Sequence, residues 1–162
     1  MQKVEKRYYK CMLIKSYEKE FFIDICTLFY ETVHSVNARD YSESQLEAWA
    51  PKDNDYSRLK TALEKNRTLV AIDDGVIIGF ADIEDTGYLD HLFVHKDHQG
   101  KGVATALCNE IEAKGNFTEI ETHASITALP FFEKRGYKVV REQIVEIRGE
   151  KLENYLMRKR TD

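Results

Sequence analysis

Two closely spaced glycines are the feature of this sequence that most directly suggests chemistry. Gly100 and Gly102 lie in the segment QGKGVA (residues 99–104), between a predicted strand that ends at Val94 and a predicted helix. A helix N-terminus offers unpaired N–H donors and a partial positive charge, and glycine lets a ligand approach the backbone closely. The spacing therefore predicts a loop that holds a diphosphate.

Other glycine-rich phosphate loops fit this segment less well. A Walker A loop needs glycine five residues before Gly100 and a hydroxyl residue after Lys101, but those positions hold His95 and Gly102. A dinucleotide-binding fingerprint would need a third glycine where Thr105 stands, and its loop would open the first βαβ unit instead of following three strands. A glycine-rich turn without a ligand remains open for the loop alone.

The elements that position this loop follow from the hydrophobic periodicity. Asp74-Gly75 and Arg148-Gly149 are predicted hairpin turns, and Ser42 to Gln45 has the form of a capping box. We predict a mixed sheet with helices on its faces. The predicted strands are 10–15, 69–72, 76–83, 88–94, 118–122, 137–147 and 152–157, and the predicted helices are 20–33, 42–50, 55–65, 102–114 and 127–134.

Composition predicts one globular domain over residues 1–162. The chain is 43% apolar and 32% charged with a net charge of −4, which gives no reason to expect a nucleic acid or membrane partner. The first ten residues lack an apolar signal segment, so a cytoplasmic location is predicted. The odd number of cysteines and the lack of a CxxC pair predict reduced core thiols at Cys11, Cys26 and Cys108.

Two motifs in this chain resemble those of the GNAT superfamily of N-acetyltransferases. Val94 followed by Gln99-x-x-Gly102-x-Ala104 is similar to the acyl-CoA-binding motif of that family. The segment 128–137 is similar to its later motif, which usually ends in Tyr-Glu-Lys-x-Gly-Phe. The resemblance is close over about residues 68–140, and segments 34–41 and 49–51 look like a bacterial-type subgroup of uncharacterised members.

The resemblance implies an α/β (α+β) single-domain fold, with a mixed, mostly antiparallel sheet of about six or seven strands and about four helices. It implies direct transfer of an acetyl group from acetyl-CoA to a primary amine in a ternary complex, without a metal. The pantetheine arm would pair with the end of the strand before the loop, and Phe93 or Val94 would offer an N–H to the thioester oxygen. The implied cofactor-binding residues are Leu92, Phe93, Val94, Gln99, Gly100, Lys101, Gly102, Val103, Ala104, Thr105, Ser125 and Phe132.

Candidates for deprotonating the amine lie on the strand before the loop, where family members often carry the base. Strand alternation predicts that Tyr88, Asp90, Leu92 and Val94 share one face. Asp90 is the first candidate, as the base or as a residue holding a water, with Tyr88 beside it. An unperturbed carboxylate is a weak base for an amine, so burial or a water relay would be required.

The histidines give weaker indications. His123, at the end of a strand leading to the cofactor arm, is a second candidate, whereas alternation predicts that His91 faces the other side in a packing or surface role. His95 and His98 have a spacing that suits a metal, but no third ligand is near them in sequence, so a solvent-exposed pair is predicted.

One position departs from the family pattern. Many members have a tyrosine that protonates the departing thiolate where this chain has Phe132, which has no proton to give. Either Tyr137 or water serves instead, or the thiolate leaves unassisted. This departure keeps a non-catalytic acyl-CoA-binding or regulatory module open as the alternative function, and an NAD-dependent oxidoreductase is a third.

The acceptor amine is expected to lie between the early helices and the last hairpin, as the resemblance implies. Four aromatic side chains are candidates to line its pocket, with packing of the helices onto the sheet as the alternative, which is favoured for Trp49: His34, Tyr41, Trp49 and Tyr56. The acceptor is predicted to be a small-molecule or peptide amine, and the protein to be a monomer or homodimer.

Overall fold

The structure is a computed structural model that describes residues 12–161. It consists of one seven-stranded sheet and five α-helices within that range, with short 3₁₀ turns at Lys19–Phe21, Asn37–Arg39 and Lys96–His98. In chain order the elements are β1 Met12–Ser16, α1 Phe22–Ser35, α2 Glu43–Trp49, α3 Ser57–Lys65, β2 Arg67–Asp73, β3 Val76–Ile83, β4 Tyr88–Val94, α4 Val103–Ala113, β5 Glu119–Ser125, α5 Leu129–Lys134, β6 Lys138–Ile147 and β7 Glu150–Arg160.

The predicted fold class is confirmed. The strand order is β1-β2-β3-β4-β5-β7-β6, and every neighbouring pair is antiparallel except β4 and β5. The hairpin turns at 74–75 and 148–149 have positive φ at both positions, which matches the right-handed twist of the strands they join. The predicted capping box at Ser42 and Gln45 begins α2. Five helices are present, the number that the hydrophobic periodicity predicts, whereas the family resemblance implied about four. Residues 10 and 11 of the first predicted strand lie outside the described range.

Each face of the sheet is covered by its own apolar core. Under α4 and α5 the core includes Leu89, Val94, Leu107 and Phe132. Under α1, α2 and α3 a second core includes Phe29 and Phe80, with several partly buried aromatic rings against it. Within residues 12–161, no helix is both long and apolar enough to span a membrane. Of the two described cysteines, which are both free, Cys108 is buried and Cys26 is half-buried.

The sheet opens between its two parallel strands. β4 and β5 pair only at Tyr88 with Glu121 and at Leu89 with Thr122, where the Thr122 hydroxyl also donates to the Leu89 carbonyl at 2.9 Å. Beyond Leu89 the two strands diverge. The far end of β4 therefore presents backbone groups that no strand of the sheet uses on that side.

A β-bulge at Asp90 changes which side chains of β4 share a face. His91 pairs with Asp82 of β3, but Leu89 pairs with the very next residue, Ile83, so Asp90 is the extra residue. Leu89, Leu92 and Val94 consequently all contact the α4 core. The prediction that Tyr88, Asp90, Leu92 and Val94 share a face is wrong, because the bulge breaks the two-residue alternation on which it depends.

Candidate active site

The opening between β4 and β5 continues into a cleft of about 390 Å³. Its walls come from the end of β4, the loop before α4, the first turn of α4, the segment after β5, and the C-terminal end of α1. The lining residues are Thr32, Val36, Asn37, Leu92, Phe93, Val94, His98, Gln99, Gly100, Gly102, Val103, Ala104, Thr105, Ser125, Thr127, Ala128 and Phe131.

The N-terminus of α4 faces this cleft without a side-chain cap. Gly102 is the N-cap residue at φ 83°, and Gly100 has φ 69°, conformations that glycine adopts without strain. Among the described residues, no side chain caps this helix, so the N–H groups of its first turn are available to a ligand in the cleft. An anion is the ligand that such amides and the helix dipole favour.

Two contacts meet at the Val94 carbonyl, one from the loop and one from α1. The Gln99 side chain donates to the Val94 carbonyl at 2.6 Å, and the Thr32 hydroxyl of α1 donates to the same oxygen at 3.2 Å. Behind the loop, α4 packs closely on β3 at Gly79, where an added Cβ would lie 3.0 Å from Val103 Cγ1 and 3.1 Å from the Phe93 carbonyl oxygen. A side chain at Gly79 would therefore press on the segment that carries the amides.

Ten of the twelve sequence-predicted cofactor residues line the cleft, and two do not. Lys101 is exposed and is not part of the wall, and its Nζ donates to the Asp97 carbonyl at 3.2 Å. Ser125 lies in the wall, and its hydroxyl accepts the Ala128 N–H at 3.0 Å, which shapes the turn before α5.

Phe132 is the second predicted residue that does not reach the cleft. Its side chain is 3% exposed and packs in the α4 core, 5.0 Å from the Tyr137 ring between centroids. The neighbouring Phe131 lines the cleft instead. Sequence alone did not distinguish these adjacent phenylalanines, because both fit an apolar helical segment and only the packing of α5 decides which one faces inward.

Tyr137 does not face the cleft either. Its hydroxyl donates to Glu112 Oε1 at 2.8 Å, and Arg135 and Lys159 bind the same carboxylate. Burial, the Glu112 charge and this hydrogen bond raise the pKa of Tyr137. The residue therefore holds α4 to the end of the sheet and is not placed to protonate a thiolate in the cleft.

A cluster of titratable side chains lies on the α1 face of the sheet, beside the bulge. Asp82 is fully buried, and its two carboxylate oxygens contact His91 Nδ1 at 2.7 Å and Asn66 Nδ2 at 2.8 Å. Asp90 Oδ2 lies 3.7 Å from the same His91 nitrogen. Sequence analysis missed Asp82 and Asn66, and no local signal identifies them, because the cluster depends on the pairing of β3 with β4.

Asp82, Asp90 and His91 form the cluster within residues 12–161 whose spacing would suit a metal ion. The Asp82–His91 contact has the length of a charge-assisted hydrogen bond, and Asn66 occupies the other Asp82 oxygen. These two contacts occupy both Asp82 oxygens, so we interpret the cluster as a hydrogen-bonded group.

The sequence-predicted base candidates lie next to this cluster. Burial raises the pKa of Asp90, with the Asp82 and Glu84 charges acting in the same direction and His91 opposing them. Burial and the nearby Asp90 charge also raise the pKa of Tyr88, which keeps its phenol neutral. His123 is exposed, and its ring packs edge-on against Tyr88 at 5.1 Å between centroids.

His91 lies among aromatic rings. Its centroid is 6.4 Å from that of Phe29, and 6.2 Å from those of both Phe80 and Phe93, the last of which lines the cleft. Burial lowers the pKa of His91, but the hydrogen bond and charge of Asp82 and the charge of Asp90 outweigh it, so the pKa is raised overall.

The four residues predicted to line the acceptor pocket make packing contacts outside the cleft wall. Tyr41 is 8% exposed, and its hydroxyl donates to the Glu153 carbonyl and accepts the Ile126 N–H, so it is a packing residue. His34 Nε2 contacts the Ala50 carbonyl at 2.7 Å. Trp49 is half-buried, 6.1 Å from Phe93 between ring centroids. Tyr56 donates to the Pro51 carbonyl. None of the four is in the cleft wall.

The cleft wall differs from the sequence predictions in two further ways. Thr32, Val36 and Asn37 line the cleft, although sequence analysis did not single them out. The histidine pair is half-buried instead of solvent-exposed, with perpendicular rings 5.3 Å apart, and His98 lies in the wall.

Comparison with known proteins decides the family. The protein-family model described as the acetyltransferase (GNAT) domain matches residues 37–158, which is most of the chain. The chain belongs to the GNAT acetyltransferases. A relative from Escherichia coli (strain K12), described as the uncharacterized N-acetyltransferase YafP, is 38% identical over 146 residues, covering 90% of this chain and 93% of the relative.

Solved GNAT structures show the same architecture. A crystal structure from Rhodopseudomonas palustris, described as a GCN5-related N-acetyltransferase and class II aminotransferase, is 32% identical with a TM-score of 0.89 and covers 93% of this chain and 96% of its own. The PaiA N-acetyltransferase of Thermoplasma acidophilum, solved in complex with coenzyme A, shares the fold at 19% identity and a TM-score of 0.75, over 93% of this chain and 99% of its own. The family resemblance is therefore confirmed, and this protein is an N-acetyltransferase.

Proposed function

We propose that this GNAT enzyme transfers an acetyl group from acetyl-CoA to a primary amine by direct attack in a ternary complex. The observation that carries the proposal is the cleft between β4 and β5, where the uncapped N-terminus of α4 and the unpaired end of β4 face the same space. The helix N-terminus can bind a diphosphate, and the unpaired strand end can pair with an extended chain. CoA has both parts, a pyrophosphate and an extended pantetheine arm.

The alternation of backbone groups along β4 supports a specific donor for the thioester oxygen. The His95 N–H donates to the Ile78 carbonyl of β3 at 2.8 Å, so the N–H of the preceding residue, Val94, turns toward the opening. Of Phe93 and Val94, we therefore assign the donor role to Val94. Such a donor stabilises the oxyanion that forms when the amine attacks.

The remaining chemistry divides between alignment and proton transfer. Holding amine and thioester together in the cleft can lower the barrier by roughly 7–11 kcal/mol. On the α1 side of β4, Asp90 holds the incoming ammonium or a water beside it, with Tyr88 as a neutral hydrogen-bonding group and His123 at the rim. Because Phe132 and Tyr137 both lie outside the cleft, the thiolate leaves unassisted or takes a proton through water.

We further propose a cytoplasmic enzyme that acts on a small-molecule or peptide amine, with acetyl-CoA as co-substrate. The test is release of CoA thiol with a panel of polyamines, amino acids, aminoglycosides and peptides, with acetylated product identified by mass spectrometry. Transfer to at least one amine is expected. Tight CoA binding without transfer to any acceptor, and without slow hydrolysis, would favour the non-catalytic module instead.

The loop assignment has its own test, in the variant Gly102→Glu. A carboxylate side chain at the N-cap of α4 blocks the amides and repels phosphate, so CoA binding measured by calorimetry should be abolished. Gly149→Glu is the matched control, because Gly149 also has positive φ, at 82°, but lies in the β6–β7 turn. Unchanged CoA affinity in Gly102→Glu would refute the loop as the phosphate site.

A further inference from the structure

The orientation of His91 is fixed by residues that lie outside the cofactor motifs. Its Nδ1 contacts the buried Asp82 at 2.7 Å, and Asn66 holds the second Asp82 oxygen. A carboxylate at Nδ1 keeps the proton on that nitrogen, which leaves Nε2 as the basic nitrogen. Nε2 makes no hydrogen bond to any residue from 12 to 161. The atom is not fully buried, so solvent or a substrate can reach it.

His91 lies beside the cleft and is not part of its wall. The two residues that follow it on β4, Leu92 and Phe93, both line the cleft, and His91 packs beside Phe93 on the α1 face of the sheet. The bulge brings Asp90 to the same place, 3.7 Å from the imidazole. A cationic amine drawn toward Asp90 would therefore arrive beside the imidazole ring, whose basic nitrogen is Nε2.

We propose that His91, positioned by Asp82 and Asn66, takes the proton from the acceptor ammonium in this enzyme. The inference rests on the proposed acetyl transfer and names a residue that sequence alternation had assigned to a packing or surface role. Asp82 and Asn66 are positioning residues, since Asp82 is fully buried and Asn66 contacts the second Asp82 oxygen, and Asp90 attracts the ammonium. Tyr88 stays neutral and His123 is exposed at the edge of the cluster, so neither combines basicity with a fixed orientation.

The proton balance of the reaction is complete with this assignment. The ammonium loses one proton to Nε2, and the resulting amine nitrogen attacks the thioester carbon. The new C–N bond forms, the C–S bond breaks, and the electron pair of that bond leaves on sulfur. The second nitrogen proton passes to the thiolate, and the imidazolium releases its proton to solvent, which gives amide, CoA thiol and one free proton.

The assignment fixes the sign of the pH dependence. The charged groups that act on the imidazole are Asp82 from β3 and Asp90 from β4, while α1 contributes the uncharged Phe29 ring. Because these carboxylates favour the imidazolium, the His91 pKa lies above its ordinary value of about 6.5. Activity should rise as pH increases through the His91 pKa, and removing the Asp82 charge should move this rise to lower pH.

The first measurement needs no acceptor. Imidazole NMR titration of the ¹³C-labelled protein, with His91 assigned from the His91→Gln spectrum, should give a midpoint above about 6.5 that falls in Asp82→Asn. An unfolded Asp82→Asn protein would also change the midpoint, so circular dichroism and CoA affinity are recorded for each variant to establish that it is folded. A midpoint that is unchanged in folded Asp82→Asn overturns the positioning role.

The second measurement uses the best amine of the panel and the pH profile of kcat/KM. In His91→Gln, kcat/KM should fall about 10²–10⁴-fold and should no longer rise with pH, while CoA affinity stays unchanged. The rise of kcat/KM with pH is called the rising limb. Asp82→Asn should retain the rising limb, displaced to lower pH by the same amount as the His91 midpoint in the NMR titration. Asp90→Asn is the control variant, and it should raise the KM for the amine while retaining the limb.

The outcomes separate this inference from the function on which it rests. If His91→Gln keeps the wild-type rate and profile, or if Asp90→Asn is the variant that loses the limb, the His91 assignment is wrong and the acetyltransferase proposal stands. If the wild-type protein transfers acetyl to no amine of the panel, the proposed function fails and the assignment fails with it.

Discussion

Phe131 and Phe132 show how much depends on single side chains in this site. They are adjacent and chemically identical, and the family motif places a tyrosine at the second of them. In the structure Phe131 lies in the cleft wall and Phe132 is packed in the α4 core. A tyrosine at position 132 would therefore place its ring in that core, so residue type alone does not decide whether this position could serve the cleft.

Replacing each of these phenylalanines by alanine should have opposite effects. Phe132→Ala leaves a cavity in a closed core and should lower the free energy of unfolding by about 3–5 kcal/mol. Phe131→Ala should leave stability nearly unchanged and weaken CoA binding about tenfold, or ~1.4 kcal/mol, through lost contact with the wall.

Urea unfolding and calorimetric CoA titration measure the two quantities in both variants. Each variant serves as the control for the other, because residue type, helix and substitution are the same. A large loss of CoA affinity in a folded Phe132→Ala protein, with none in Phe131→Ala, would mean that the order of the two side chains is reversed.

At the scale of elements, the contact between α4 and β3 decides where the amides of the loop lie. Gly79 provides the space for this contact, with Val103 and Leu107 of α4 against it. Its φ is not in the left-handed region, so glycine is needed there for the close approach and not for backbone conformation. The sequence motif marks the loop, but the distance between helix and sheet sets its direction.

Gly79→Ala should move α4 away from β3. The added methyl meets Val103 Cγ1 and a backbone oxygen at about 3 Å, and such overpacking costs roughly 1–3 kcal/mol of stability. CoA affinity should fall as well, because the displaced helix carries the amide donors.

A double-mutant cycle with Val103→Ala checks the cause. If the clash with Val103 is responsible, the double variant should be more stable than the sum of the two single effects predicts. Strict additivity in urea unfolding would show that the two side chains do not interact and that α4 is not displaced by this contact.

For the whole molecule, the cleft joins elements from both halves of the chain. α1 and the adjoining turn contribute Thr32, Val36 and Asn37, whereas the other wall residues come from positions 92–131. A ligand in the cleft therefore contacts elements from both faces of the sheet, and its binding energy should appear as stability of the whole fold.

CoA at a hundredfold excess over its Kd should stabilise the protein by about 2.7 kcal/mol. For a chain of this length this corresponds to a rise in Tm of about 5–10 °C, which differential scanning fluorimetry resolves. NAD at the same concentration should leave Tm unchanged. Stabilisation by NAD and not by CoA would contradict the acetyltransferase assignment and favour the oxidoreductase alternative.

The sequence by itself determined the order of elements, the fold class and the position of the glycine-rich loop before α4. These features depend on local signals, namely hydrophobic period, turn residues such as Asp74-Gly75 and Arg148-Gly149, and the paired glycines before α4. Local signals are readable because neighbouring residues along the chain fix them.

Only the tertiary structure decided which side chains meet. The bulge at Asp90 depends on the register between β3 and β4, and it reversed the predicted face of Tyr88 and brought Asp90 beside His91. The contact of Asp82 with His91 and Asn66 joins three parts of the chain through strand pairing, and the packing of α5 selected Phe131 over Phe132. Register and helix packing are set by the core as a whole, so no window of sequence contains them.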